Sequence, residues 1–382
     1  MEPKKHRFNF PTRIVFGEGV LADLPAEVKA LGHVRPLVVT DRGLARTDIP
    51  GRMIELLRDA GLSPELFDKV EPNPTDAQVD EGARAFNEHE ADAIVALGGG
   101  SPLDAAKGIQ LRIHHDEPLE EYDDLLGGDE KITRDLPQLV AVPTTAGTGS
   151  EVSRSAVITV AAAERKVVLF SPLLMPSVAL CDPELTYGLP PRITAETGMD
   201  ALSHSLEAFC AKGYHPMADA IALKGMALVA TNLARAVKHG DDVRARRQML
   251  MASTMGAVAF QKGLGVVHSL AHPLSTVSGI SHGLANAIVL PHAVHFNAEA
   301  LGERAAALAT ALGAEEATAE GASRALSGLL ETLELPTRLS DAGMQEDQMQ
   351  ALVEKAMQDG CHQCNPRACK AEDMETILTE AF

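Results

Sequence analysis

The sequence predicts a two-part chain: an α/β domain with a parallel sheet over residues 1–187, then an all-helical domain over residues 188–382. Three observations carry this reading. At 382 residues the chain is too long for one ordinary core and fits two domains of common size. In the first part, short β-rich runs alternate with polar or Ala-rich amphipathic stretches, the pattern of βαβ units. After the double proline of TYGLPPRIT, β-branched runs become scarce and long Ala-, Leu- and Met-rich periodic segments take over.

Taken in order, RIVFG, PLVVTD, ADAIVALGGG and QLVAVPTT read as strands, separated by helical patterns. Beyond about Thr194, MADAIALKGMALVATNLARAV reads as a long helix. AAALATALGAEEATAEGASRAL is Ala-rich but periodic, and so is also read as helix rather than linker. No run approaches the roughly 20 apolar residues of a membrane span, and MEPKKHRFNF lacks the apolar centre of a secretory signal, so the expected location is cytoplasmic.

Composition narrows the function classes. With 34 basic and 53 acidic residues the net charge is −19, which repels phosphate backbones; aromatic residues are 3 % and Trp is absent, so base-stacking platforms are missing too. Nucleic acid is therefore excluded as a partner. Cys181, Cys210, Cys361, Cys364 and Cys369 form an odd, sparse set without framework spacing, as expected of reduced thiols. Cys361, Cys364 and Cys369 with His362 lack the second CxxC of a zinc ribbon.

In ADAIVALGGGSPLDAAKGI a buried strand stops at Gly98, Gly99 and Gly100 and becomes a helix. Ser101 fits the N-cap, Pro102 the first helical position and Asp104 the third. Glycines let the backbone approach a ligand closely, and the free N–H groups of such a helix start favour an anion such as a pyrophosphate. A second loop, VAVPTTAGTGSE, follows another strand and offers the hydroxyls of Thr144, Thr145, Thr148 and Ser150. Two such loops at sheet ends suggest a nucleotide crevice. Asp41 ends the strand PLVVTD, where a carboxylate binds a ribose 2′-OH and repels a 2′-phosphate, favouring NAD over NADP; the adjacent Arg42 leaves the opposite choice open.

GLGVVHSLAHPLSTVSGISHG places three histidines in an apolar segment. Residues four apart share a helix face, which pairs Asp200 with His204 and His268 with His272; His282 opens a third segment. A carboxylate and imidazoles converging from separate elements suit Fe²⁺ or Zn²⁺. His292 and His295 add to the crowding, and burying so many ring nitrogens without a purpose is costly. Spacing does not decide between His268 and His272 as ligand.

GGGSPLDAAK, PTTAGTGSE, DPELT, TGMDALSHSLEA, GLGVVHSLAHPLS and SHGLANAIVLPH together resemble the iron-containing (group III) alcohol dehydrogenase family, from FGEGV to NPRACKAEDM. The resemblance implies a dehydroquinate synthase-like architecture, and Fe²⁺ (with Zn²⁺ as the alternative) held by Asp200, His204, His268 and His282. It leaves His272 uncoordinated in the active site, as a catalytic proton relay. It also implies NAD contacts from Asp41, Gly98, Gly99, Gly100, Ser101, Thr144, Thr145, Thr148, Ser150 and Lys166, although AAAERKVVLF departs from the usual wording around Lys166. The implied activity is hydride transfer between a small alcohol or diol and NAD by a homodimer or larger homo-oligomer. Rival expectations are a zinc-dependent glycerol-type dehydrogenase, an NAD-using dehydroquinate-synthase-like lyase, and a silent metal- or nucleotide-binding protein.

Overall fold

The computed structural model describes Phe8, Phe10, residues 13–163 and residues 165–382. The N-terminal stretch read above for the absence of a leader lies mostly outside the described residues. The described residues divide into two compact units: an α/β unit of residues 13–145 with Gly149–Thr186, and a helical unit of Tyr187–Phe382 grouped with Ala146–Thr148, Phe8 and Phe10.

The α/β unit is built on strands β1 (Arg13–Phe16), β2 (Pro36–Asp41), β3 (Glu65–Val70), β4 (Ala93–Gly98), β5 (Gln138–Pro143) and β8 (Val178–Cys181). They form one all-parallel sheet in the order β1-β8-β5-β4-β2-β3. Successive side chains of a strand point to opposite faces, and both faces here are apolar. Leu37, Val39, Ile94, Ala96, Leu139 and Ala141 enter one core with Val79, Ala83 and Phe86 of α3 (Asp76–Glu88) and Ile109 of α4 (Gly100–Arg112). Val38, Val95, Leu97, Val140 and Val142 enter the other, against Leu24 and Val28 of α1 (Leu24–Ala30) and Met53 and Leu57 of α2 (Ile49–Asp59). Helices thus cover both faces, as parallel strands require. A feature absent from the sequence reading is the separate antiparallel pair β6 (Ser155–Val160) and β7 (Arg165–Phe170), with Thr159 opposite Lys166.

The chain runs outward from β2 to β3, returns to β4 on the other side of β2, and continues to β5. Its direction reverses between β2 and β4, so the crevice beyond their carboxyl ends is where an open parallel sheet binds ligands.

The helical unit begins with α5 (Pro191–Cys210), α6 (Pro216–Lys238), α7 (Val243–Ala259), α8 (Val266–Val277) and α9 (His282–Phe296). It continues with α10 (Ala298–Leu301), α11 (Arg304–Leu312), α12 (Ala319–Thr332), α13 (Met349–Gln358) and α14 (Ala371–Ala381). By length and composition alone, α6 is long and apolar enough to cross a membrane. Its apolarity comes from Ala, Met and Leu side chains such as Ala222, Met226, Val229 and Leu233, which are buried within the unit, while Asp219, Lys224 and Arg235 interrupt the run.

Candidate metal centre and nucleotide loops

In the helical unit, α5 carries Asp200, His204 and Glu207 at spacings of four and three residues, so all three share one helix face. The Nε2 atoms of His204, His268 and His282 stand 3.7, 4.0 and 3.5 Å from one atom, Asp200 Oδ1. Donors about 2.1 Å from a common ion stand roughly 3.4 Å apart in a tetrahedron, so these separations are those of a ligand set drawn slightly open. One ligand atom from each of Asp200, His204 and His268 lies within 4.8 Å of the others, and all three residues are buried. His268 Nε2 is buried without a hydrogen-bond partner among the described residues, an arrangement that costs about 1–3 kcal/mol unless something binds there. Burial pushes the imidazolium pKa of His204 down and that of His268 to about 4, so both rings are neutral at pH 7, the form that ligates a metal. The donor set therefore fits a divalent first-row ion.

The neighbouring sequence is dictated by this convergence. Helix α8 opens with N–H groups that have no partner within the helix, and Glu207 supplies one: Oε1 accepts from Val267 N at 2.7 Å and Oε2 from His268 N at 3.4 Å. The same Oε2 takes the Nδ1–H of His268 at 2.5 Å, leaving Nε2 to face the other donors. Burial pushes the Glu207 carboxyl up to about 7, opposed by backbone hydrogen bonds from Val267, Gly265 and His268. Gly265 is required because a Cβ there would lie 2.7 Å from Glu207 Oε1, and Gly283 because its Cβ would lie 2.2 Å from the Glu196 carbonyl of α5. This close approach of α9 to α5 explains why glycine follows His282. Asn286, one turn beyond His282, donates Nδ2–H to Asp200 Oδ1 at 2.8 Å and fixes that carboxylate.

His272 lies beside the donor set, stacked on His282 with ring centroids 5.3 Å apart, and its Nδ1–H is donated to Asp359 Oδ2 at 2.7 Å. Burial alone would raise the Asp359 carboxyl; hydrogen bonds from His272, Cys361 N and Ser269 Oγ outweigh it and hold the group well below the usual carboxylate range. Glu207 and Asp359 were not singled out in the sequence. Glu207 sits in the quoted run TGMDALSHSLEA, seven residues after Asp200 on the same face, and that spacing was the available signal. Asp359 is 87 residues from His272 and carries no local signal. The sequence reading also overstated the crowding of histidines. His295 is exposed and His292 half-buried, its Nδ1 3.9 Å from Glu380 Oε2. His292 lies ten residues beyond His282 on the same helix, about 15 Å along its axis, too far to join the cluster.

In the α/β unit, Asp41, Gly98 and the PTTAGTGSE loop come from adjacent strand ends in the order β5-β4-β2. Gly98 has φ +140°, and a Cβ there would meet Pro102 Cγ at 2.4 Å and Asp41 Oδ2 at 3.2 Å; one on Gly99 would lie 3.2 Å from the Thr145 side chain. Thr144 N donates to Gly98 O at 2.9 Å, tying the two loops together. The helix start differs from expectation: α4 begins at Gly100 with Gly99 as N-cap, so Ser101 is the second helical residue and caps nothing. The reason is tertiary. Asp104 Oδ1 accepts from Ser150 Oγ at 2.7 Å and its Oδ2 from Val157 N at 3.1 Å, instead of serving its own helix. Ser150 Oγ also accepts from the buried Lys107 Nζ at 2.8 Å, so this hydroxyl is committed within the protein. Lys166 is largely buried on β7, and burial lowers its pKa against the attraction of Asp104. Thr148 falls in the short segment grouped with the helical unit. Asp41 Oδ1 accepts from Gly43 N and Leu44 N at 2.8 Å each, which holds its Oδ2 against Gly98. Arg42, whose role the sequence left open, is paired with Glu71 at 2.9 Å.

Comparison with known proteins agrees with this geometry. The family model for iron-containing alcohol dehydrogenase matches residues 11–183, and that for the C-terminal region of the Fe-containing alcohol dehydrogenase family matches residues 194–382. The chain is 40 % identical to 4-hydroxybutyrate dehydrogenase of Cupriavidus necator, covering 97 % of this chain and 98 % of that protein. It is 37 % identical to the NAD-dependent methanol dehydrogenase of Bacillus methanolicus, covering 98 % and 99 %. A crystal structure of 1,3-propanediol oxidoreductase superposes with a TM-score of 0.94 at 37 % identity, covering 99 % of this chain and 100 % of that one. With a carboxylate and imidazoles converging in its helical unit and glycine loops ending its parallel strands, the chain belongs to the iron-containing alcohol dehydrogenase family, as an NAD-dependent enzyme.

Proposed function

We propose that Asp200, His204, His268 and His282 together hold Fe²⁺, that His272 relays the proton, and that the substrate is a short, unbranched primary alcohol or diol. The observation that carries this is the convergence of three imidazole Nε2 atoms on Asp200 Oδ1. Fe²⁺ bound there would supply Lewis-acid polarisation of the substrate oxygen, and bound NAD⁺ would supply the hydride acceptor. The rest is done by the chain. Glu207 fixes the tautomer of His268 so that Nε2 offers its lone pair inward. Asp359 holds the Nδ1–H of His272, leaving Nε2 able to take up the proton released by the alcohol and pass it to water. Three nitrogens and one oxygen would also accept Zn²⁺. The relatives named for 4-hydroxybutyrate, methanol and 1,3-propanediol share a terminal hydroxyl on a short chain, which supports the substrate class. The test is NADH formation from NAD⁺ over a panel of primary alcohols, diols and hydroxy acids: short primary alcohols should rank first, and a preference for secondary or branched alcohols would reject the substrate class.

We further propose that Gly98 to Ser101, with Thr144, Thr145 and Thr148, receive the pyrophosphate side of NAD, with Lys166 at its edge, and that Asp41 sets the preference over NADP. Ser150 then acts by holding the loop against Asp104 and Lys107. Arg42, the cation next to Asp41 in the sequence, is engaged by Glu71 at 2.9 Å, which supports the preference for NAD. Asp41→Gly should raise kcat/KM for NADP⁺ at least tenfold relative to that for NAD⁺; an unchanged ratio would show that another residue sets the choice. Glu207→Gln should weaken iron binding about 10–100-fold, read by competition with a chelator, because an outer partner of a ligating histidine is lost. A homodimer or larger assembly in the cytoplasm completes the proposal. The exposed Ile14 on the edge strand β1 supports association, and light scattering on the purified protein tests it.

A further inference from the structure

Beside the four-residue donor set, the helical unit holds a second convergence of ligand atoms. His272 on α8, and Asp359 and Cys361 just after α13, each offer one donor atom, and these lie within 4.8 Å of one another. The arrangement is held in place before any ion arrives. Asp359 Oδ1 accepts from Ser269 Oγ and Cys361 N at 2.8 Å each, and Ser269 Oγ in turn accepts from His362 N at 2.8 Å. Asn365 anchors the end of the same turn, donating to Asn297 Oδ1 and to the Arg367 carbonyl at 2.7 Å each.

We propose that His272, Asp359 and Cys361 form a second cation site, which takes a borderline or soft divalent ion such as Zn²⁺ or Cd²⁺ and inhibits the enzyme by occupying His272. One nitrogen, one oxygen and one sulfur are three of the four ligands of a tetrahedral zinc site, with the fourth position open to water. Sulfur sets this site apart: thiolate selects Zn²⁺ and Cd²⁺ over the harder cations, whereas the first donor set contains none. Without an ion, burial and the charge of Asp359 keep the Cys361 proton on sulfur. Binding breaks that S–H bond, forms the metal–sulfur bond and releases one proton to solvent; the Nδ1 proton of His272, held on Asp359 in the free protein, moves to Nε2 so that Nδ1 can ligate, while aspartate and thiolate together neutralise the ion. Binding itself needs only the three donors; its inhibitory consequence rests on the proposed relay role of His272.

The test is an anaerobic titration of the iron-loaded enzyme with Co²⁺, followed by absorbance. A thiolate-to-cobalt charge-transfer band in the near ultraviolet reports this site alone, since the first donor set has no sulfur. The band should saturate at one Co²⁺ per chain, be erased by Zn²⁺, persist in Cys364→Ser and Cys369→Ser, and be absent in both Cys361→Ser and Cys361→Ala. NADH formation should fall with the same Zn²⁺ midpoint, and that midpoint should rise at least tenfold in Cys361→Ser. No thiolate band in the wild type overturns the site. Inhibition accompanied by release of iron, without a band, overturns it as well, because zinc is then displacing the first metal. A band without inhibition overturns the inhibitory role, and with it the reading of His272 as relay, while leaving the iron site untouched.

Discussion

Asp200→Ala is expected to abolish iron binding and with it NADH formation, while the protein remains folded. Asp200 contributes the only anion among the four proposed ligands, and its Oδ1 is the atom on which the imidazoles of α5, α8 and α9 converge. Without it only three imidazoles remain, so the loss in affinity should exceed the 10–100-fold that follows removal of an outer partner. The substitution also leaves Asn286 Nδ2 without its carboxylate, an expected cost of about 1–3 kcal/mol, which lowers stability without unfolding a chain of this size. Metal analysis after gel filtration reads the first effect and circular dichroism the second. Iron retained at one equivalent by Asp200→Ala would contradict the ligand assignment.

His272→Ala should behave differently: iron stays and turnover falls. The ring is held by Asp359 rather than by the donor set, and its Nδ1 is already committed at 2.7 Å. Loss of a positioned proton-transfer group typically costs 10²–10⁴ in rate, so kcat should drop by about that factor with iron content unchanged. Loss of metal in this variant would make His272 a ligand and return the choice between His268 and His272 to where spacing alone had left it.

Much of the fold was legible because it rests on local periodicity. Leu37, Val38 and Val39, and likewise Ile94, Val95 and Ala96, are continuous apolar runs, the mark of strands buried on both faces. Asp200 with His204 is a local pair on α5, and so is His268 with His272 on α8, so these facing groups could be read from spacing. What was missed depends on contacts between distant segments. The start of α4 moved to Gly100 because Asp104 serves Ser150 and Val157. The burial argument for five histidines failed at His292 and His295 because α9 carries them out of the cluster. Asp359 could be found only once the turn after α13 was seen to fold against α8.

The most direct test of the account is reconstitution: strip the protein of metal, add Fe²⁺ anaerobically in measured amounts, and follow NADH formation from NAD⁺ with a short primary alcohol. The account predicts no activity in the stripped protein, a linear rise to a plateau at one Fe²⁺ per chain, and no recovery in Asp200→Ala at any iron level. Full-rate NADH formation by the stripped protein, or equal recovery by Asp200→Ala, would contradict it.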